Sequence, residues 1–162
     1  MSQGDVKMEN IKISKMAWNE FGDIILRMAK EIQADYELDV IVGIGKSGTI
    51  PASIIAKKLG ILEFYSIVVS LYGEGKPPKM LHQTPCVKFD NIRSLEGKKV
   101  LVVDDFVHTG ATLKKVIRKI THAGAKEVRT AVVGFRLDAS YSPEYVGTTF
   151  EGCLRFPWDL SE

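Results

Sequence analysis

Four consecutive apolar residues, Val100-Leu101-Val102-Val103, run directly into two carboxylates, Asp104-Asp105. An unbroken apolar run fits a strand covered on both faces, as in a parallel sheet. The segments around it alternate in type. Val40–Ile44 is strand-like, Gly45-Lys46-Ser47-Gly48 reads as a turn, and a helix follows. Pro51 suits that helix's first turn, Ile54, Ile55 and Leu59 supply a core face, and Gly60 suits its stop. Phe64–Leu71 and Val128–Phe135 are rich in β-branched and aromatic residues and predict strands. The run at 100–103 predicts a third, Lys98–Val103. Between the last two, Leu113, Val116, Ile117 and Ile120 recur at helical spacing over Thr112–Ala123, with Gly124 at the end. Ahead of them all, Ser14 can cap a helix whose core face is Trp18, Phe21, Ile25, Met28 and Ile32. Strands alternating with helices predict an α/β domain with a mainly parallel sheet. Ligands of such sheets bind at the carboxyl ends of the strands.

A chain of 162 residues predicts one domain, 1–162, able to bury a core without staples. Hydrophobic residues at 45% and charged residues at 26% exclude a disordered or fibrous chain. The apolar runs fall far short of the roughly 18–20 residues needed to cross a bilayer. A net charge of +2 argues against a nucleic-acid binder, which usually carries a basic surplus. The two cysteines, Cys86 and Cys153, match neither a zinc pattern nor a disulfide framework. With no leader-like segment at the start, the expectation is a soluble, reduced, cytoplasmic domain with no membrane and no nucleic-acid partner. Residues 1–12 are expected to be flexible. Residues 72–91, broken by Gly73, Gly75, Pro77, Pro78 and Pro85, predict a functional loop with a short strand at Val87-Lys88-Phe89. Residues 136–162 read as an irregular tail.

The chemistry concentrates at 104–112. Two carboxylates stand at the carboxyl end of the buried strand, and Thr109-Gly110-Ala111-Thr112 opens the next helix. Gly110 lets backbone approach a ligand closely. The helix start offers free N–H groups and a positive dipole end, a ready phosphate site, and the threonines add hydroxyls. Adjacent carboxylates beside an anion site make sense if the ligand also presents hydroxyls or a divalent cation. A ribose 5-phosphate satisfies both.

The stretch Val100–Leu113 resembles the phosphoribosyl pyrophosphate (PRPP) motif of type I phosphoribosyltransferases, and the resemblance extends over roughly Trp18 to Asp159. The closing Phe156-Pro157-Trp158-Asp159 is similar to the end of the small xanthine-guanine and archaeal 6-oxopurine enzymes. The resemblance implies a Rossmann-like, mainly parallel sheet flanked by helices, with a small C-terminal hood over residues 136–162. It implies Mg²⁺-dependent transfer of the phosphoribosyl group from PRPP to a free purine base, in a homodimer or tetramer. By this likeness Asp104 and Asp105 hold the ribose, and His108 through Thr112 take the 5′-phosphate. Lys46, Ser47 and Gly48 meet pyrophosphate, joined by Lys76 and Lys79 from a flap at 72–91. Arg136 reads the purine, and Cys153 and Phe156 stand at the base site. Asp104 and Asp105 would face the metal, with Asp159 reaching a second one through water. Two positions depart from the pattern. His108 stands where these enzymes usually carry an aspartate facing the purine's imidazole nitrogen, and could serve as acid or base. Cys153 stands where bacterial relatives place a stacking aromatic. These departures leave open a PRPP- or nucleotide-sensing regulator on the same fold, or a transferase for another base.

Overall fold

A computed structural model describes residues 12–70 and 84–159. In chain order the elements are β1 (Ile13–Lys15), α1 (Trp18–Asp35), β2 (Val40–Ile44), α2 (Gly45–Leu59), β3 (Glu63–Ser70), β4 (Cys86–Asp90), β5 (Lys99–Val107), α3 (Ala111–His122), β6 (Glu127–Arg136), β7 (Tyr145–Phe150) and β8 (Cys153–Arg155). Six strands form one sheet in the order β4-β3-β2-β5-β6-β7. All neighbours are parallel except β3 and β4, which pair antiparallel. This is the α/β architecture the alternation predicts. The chain winds outward one way from β2 to β3 and the other way from β5 to β7. The β2/β5 boundary is therefore the topological switch point, where ligands of open α/β sheets bind.

Period-two alternation assigns each strand residue to a layer. Ile41, Leu101, Val103, Ala131 and Val133 pack with α1 and α2, while Val40, Val42, Val100, Val102 and Val132 pack with α3. Both layers bury the central strands, which is why 100–103 is apolar throughout. The alternation slips across the acidic pair: Phe106 packs against the α1/α2 cluster and Val107 belongs to the α3 cluster.

Several expectations are corrected. Ser14 lies in β1 rather than at a helix cap, and the N-cap position of α1 is Ala17, without a side-chain cap. Trp18 is 60% exposed, at the rim of the face that buries Phe21, Ile25, Met28 and Ile32. Residues 45–48 are the first turn of α2, which puts Pro51 inside the helix. That helix buries Pro51, Ala52, Ile55 and Ala56 and leaves Ile54 exposed, because residues 52, 55 and 56 share the face turned to the sheet. Strand β5 runs four residues past Val103, since β6 continues to supply ladder partners for Asp104, Phe106 and Val107. The short strand expected at Val87-Lys88-Phe89 is present as β4, one residue longer at each end and held as an edge strand by β3. The tail is not irregular. Strand β7 extends the main sheet, and β8 pairs with β1 in a small parallel ribbon, so the 136–159 segment is tied to Ile13–Lys15. Gly60 and Gly124, read as helix stops, have φ of +70° and +97°. Among the described residues no helix is long and apolar enough to cross a membrane.

Candidate active site

The switch point brings two helix N-termini to one acidic pair. Asp104 is 8% exposed, and Asp105 is half-buried. The backbone N–H of Asp105 donates to Asp104 Oδ1 at 2.9 Å. Burial holds the Asp104 carboxyl well above the usual carboxylate range, and repulsion from Asp105 adds to it. Asp105 is also pushed up, first by burial, with Asp159 adding to the rise. A nearby positive charge or hydroxyl donors would favour the charged forms of this pair.

The first turn of α2 lies directly on this pair. A Cβ on Gly48 would stand 2.8 Å from Asp104 Oδ1 and 3.1 Å from its Cα, so only glycine lets the helix approach this closely. Lys46 is exposed on the same turn and Ser47 is half-buried. Lys76 and Lys79 lie outside the described residues, as do Leu71 and Tyr72.

Beyond β5 the chain forms a cavity of about 310 Å³ lined by Asp104, Phe106 and residues 107–113. Gly110, at φ +90°, occupies the N-cap position of α3. The side-chain oxygen of Thr109 accepts the Ala111 N–H at 3.3 Å, while Thr112 and Leu113 N–H lie in the first turn, where helices lack internal acceptors. The turn is braced from behind. Ser140 donates to the Thr109 carbonyl from its N–H at 3.1 Å and its hydroxyl at 2.8 Å. Lys114 Nζ donates to the Ser140 hydroxyl at 3.2 Å. A Cβ on Gly110 would collide with Tyr141 Cβ at 2.3 Å.

His108 is exposed at the cavity rim, its ring edge-on to Phe106 with centroids 5.1 Å apart. Arg136 Nη1 lies 2.8 Å from His108 Nδ1. Arg136 also grips Asp138 with two donors, Nε to Oδ1 and Nη2 to Oδ2. Burial, then the Arg136 charge, pushes the His108 imidazole below its usual range, against a smaller opposing effect of Asp138. A second recess of about 290 Å³ is lined by Arg136, Leu137, Asp138, Phe150, Glu151 and Gly152.

The structure thus gathers Asp104, Asp105, His108 through Thr112, Gly48 and Arg136. It does not bring Cys153 or Phe156 to the cavity. Cys153 is tied into the small ribbon opposite Ile13, its N–H donating to the Lys12 carbonyl. Phe156 is buried and stacked on Trp158 at 4.8 Å, so its faces are spent in the core. Asp159 accepts the Phe156 N–H at 2.8 Å, which commits one of its oxygens. The aromatic at the cavity is Phe106, stacked on Phe150 at 5.1 Å. Nothing in the sequence marked Phe106, or Asp138 and Ser140, as part of the site; their roles come from the return of the 136–141 segment across the turn. Among the described residues no three His, Cys, Asp or Glu side chains converge as a metal cage. The donors that do meet are carboxylate oxygens, which suit a hard cation completed by water and substrate oxygens.

The first turn of α3 and a buried acidic pair thus meet at the switch point of a mainly parallel α/β sheet. The chain belongs to the phosphoribosyl transferase domain family, which it matches over residues 16–160. It is similar to a solved purine phosphoribosyltransferase from Pyrococcus horikoshii, with 29% identity, a TM-score of 0.81, and coverage of 93% of this chain and 96% of that one. It is 32% identical over 117 residues to amidophosphoribosyltransferase 3 of Arabidopsis thaliana chloroplasts, covering 69% of this chain and 21% of that protein. It thus spans only about a fifth of that relative's length. It is also 26% identical over 152 residues to the transcriptional regulator GfcR of Methanococcoides burtonii, 85% of this chain and 71% of the regulator.

Proposed function

We propose that the protein transfers the 5-phosphoribosyl group from PRPP to a purine base, releasing pyrophosphate and forming a nucleoside monophosphate. The observation that carries this reading is the junction of the Thr109–Thr112 cradle with the buried Asp104–Asp105 pair. The 5′-phosphate would sit on the free N–H groups and hydroxyls of that turn. The ribose hydroxyls would donate to the two carboxylates, favouring their charged forms. As the bond to pyrophosphate lengthens, positive charge develops at the anomeric carbon. A fixed pair of carboxylates beside it stabilises that charge without reorganisation. The α2 first turn, with Lys46 and Ser47, would face the departing pyrophosphate. Mg²⁺, held by Asp104 and Asp105 together with substrate oxygens, would offset charge on the leaving group. The purine reading draws support from the likeness to the Pyrococcus enzyme, with a 6-oxopurine as the first acceptor to try.

A second reading, a PRPP- or nucleotide-sensing regulator, is favoured by one observation: Arg136 is engaged by Asp138 and His108 rather than free for a base. The regulator relative points the same way. Calorimetric titration with PRPP and Mg²⁺, followed by guanine, hypoxanthine, xanthine, adenine and uracil with detection of pyrophosphate, separates the two. Pyrophosphate released with one base makes the protein a transferase and names its acceptor. Binding without release for every base supports the regulator. No binding of PRPP removes the transferase reading and the PRPP sensor, and a further titration with guanosine monophosphate then decides whether a nucleotide sensor remains.

A further inference from the structure

The segment that returns over the Thr109–Thr112 turn is anchored on both sides of Ser140. Before it, the Ala139 N–H closes a turn on the Arg136 carbonyl at 3.0 Å. After it, Glu144 accepts the N–H and the hydroxyl of buried Thr130 at 2.7 and 2.6 Å, and the Tyr141 hydroxyl lies 3.2 Å from the same Thr130 oxygen. Ser140 is thereby held at the Thr109 carbonyl, to which it donates from both its N–H and its hydroxyl. Lys114 Nζ reaches the Ser140 hydroxyl at 3.2 Å, and no carboxylate pairs with Lys114 among the described residues. The direction of this chain is forced. An ammonium only donates and a carbonyl only accepts, so the single serine proton goes to Thr109. Each bond polarises the next.

The peptide joining Thr109 to Gly110 carries this effect to the other side of the turn. In a trans peptide the C=O and N–H point in opposite directions, and resonance links them. Two donors on the Thr109 oxygen therefore turn the Gly110 N–H away from Ser140 and make it a stronger donor. Gly110 is buried and lines the 310 Å³ cavity, and its N–H has no hydrogen-bond partner among the described residues. The next N–H, that of Ala111, is already taken by the Thr109 side chain.

We infer that Ser140 and Lys114 are positioning residues for an anion held on this turn: Ser140 aims the Gly110 N–H into the cavity, and Lys114, acting through Ser140, strengthens it. Neither residue lines the cavity. That the anion is a sugar 5-phosphate rests on the phosphoribosyl reading; the aim of the Gly110 N–H does not.

Calorimetry with ribose 5-phosphate, and with PRPP and Mg²⁺, tests the chain. Ser140→Ala should weaken both ligands roughly five- to tenfold, about the worth of one hydrogen bond. Ser140→Thr, which keeps a hydroxyl, should restore most of that affinity. Lys114→Met should cost roughly two- to fivefold, as loss of one polarising bond at one remove. The double variant decides the route. If Lys114 acts through Ser140, Lys114→Met costs nothing further in the Ser140→Ala background. Additive losses would overturn the chain and leave Lys114 acting by its charge alone. The Gly110 amide gives a second readout. Its proton resonance should move downfield when ribose 5-phosphate binds wild type, and should move less in Ser140→Ala and in Lys114→Met. An unmoved Gly110 amide in a wild type that binds ribose 5-phosphate would overturn the inference and leave the phosphoribosyl reading intact, as would unchanged affinity in Ser140→Ala. A wild type that binds neither ligand would overturn the phosphoribosyl reading, and the ligand assignment with it.

Discussion

Gly48→Ala tests the packing of α2 on the acidic pair, because two effects of opposite sign meet there. Inside a helix, alanine is favoured over glycine by about 0.8–1.0 kcal/mol. At Gly48 the new Cβ would lie 2.8 Å from Asp104 Oδ1, 3.1 Å from Asp104 Cα and 3.2 Å from the Val103 carbonyl. Two of these neighbours are backbone, and the third is held by the Asp105 N–H. Relief therefore has to come from moving α2 or β5. Overpacking of this kind costs about 1–3 kcal/mol, which leaves a net loss of roughly 0–2 kcal/mol once the propensity gain is subtracted. Gly22 supplies the control. It sits inside α1 and a Cβ there meets nothing within 4 Å. Gly22→Ala should gain roughly the full propensity value. The two variants should thus differ by about 1–3 kcal/mol, at about 2–4 °C of melting temperature per kcal/mol for a chain of this size. Urea and thermal melts of both would read this. PRPP calorimetry and turnover should show a further loss in Gly48→Ala alone. Misplacement by about 1 Å can cost roughly 10²-fold in rate. A shift on the order of half that should cost roughly tenfold if log rate falls evenly with distance. If Gly48→Ala were as stable as Gly22→Ala and bound PRPP normally, the close approach of α2 to Asp104 would be refuted.

Gly110→Ala should be harsher, since φ of +90° and a 2.3 Å overlap with Tyr141 act together. A left-handed conformation costs about 1–2 kcal/mol and the overlap about 1–3 kcal/mol, so denaturant melts should show a loss of about 2–5 kcal/mol, with phosphate-dependent binding abolished. Asp104→Asn should abolish PRPP binding and stabilise the ligand-free protein at neutral pH. The raised carboxyl means that the folded state holds its proton more tightly than the unfolded chain, so wild-type stability falls as pH rises from the ordinary carboxylate range through the folded value. The gain from asparagine should vanish in acid, where the carboxyl is protonated in both states. His108, held below its usual range, should stay neutral until the pH falls under that range. A proton NMR titration of the ring reads this, and a midpoint at or above the usual range would refute it.

The elements that could be read from the sequence are those whose local pattern and burial agree. Val40–Ile44 and the 100–103 run are apolar because both sheet faces are covered, and Phe21, Ile25, Met28 and Ile32 recur because one helix face is. The failures are places where a distant partner decides. Gly45-Lys46-Ser47-Gly48 has turn chemistry but forms a helical turn packed on Asp104, a residue 56 positions away from Gly48. Only the ends of β4 escaped the pattern: Ser70 and Ile67 of β3 pair with Cys86 and Asp90, one residue beyond the expected 87–89 on each side. The tail offers no strand period, yet β7 finds an open sheet edge on β6 and β8 finds β1. At the site, the 104–112 segment was legible because one contiguous stretch carries strand, acids, glycine and helix start. Asp138 was not, because its place in the site lies in a fork on Arg136 and through it on His108, and two residues of spacing say nothing about that.

The order of charges along the site argues for a ligand anionic at both ends. The first turn of α2 and that of α3 both present helix N-termini, which favour negative charge. Between them stands Asp104, buried against Gly48 on one side and lining the α3 cavity on the other. A single phosphate would fill one helix end and leave the other facing water. A simple dianion bridging both would have to cross the carboxylates. A sugar satisfies the arrangement if it carries a phosphate at one end, a second phosphoryl group at the other, and hydroxyls between them. Its hydroxyls donate where the acids accept, and its charged ends meet the two helices. PRPP has that sequence of groups. A nucleoside monophosphate keeps one end and replaces the other by a base. On the phosphoribosyl reading, occupancy of the α2 turn would distinguish substrate from product. Lys46→Ala should accordingly weaken PRPP much more than it weakens a nucleoside monophosphate, and parallel calorimetry of the two ligands reads that ratio. Equal losses for both would mean that the α2 turn does not hold the second anionic end.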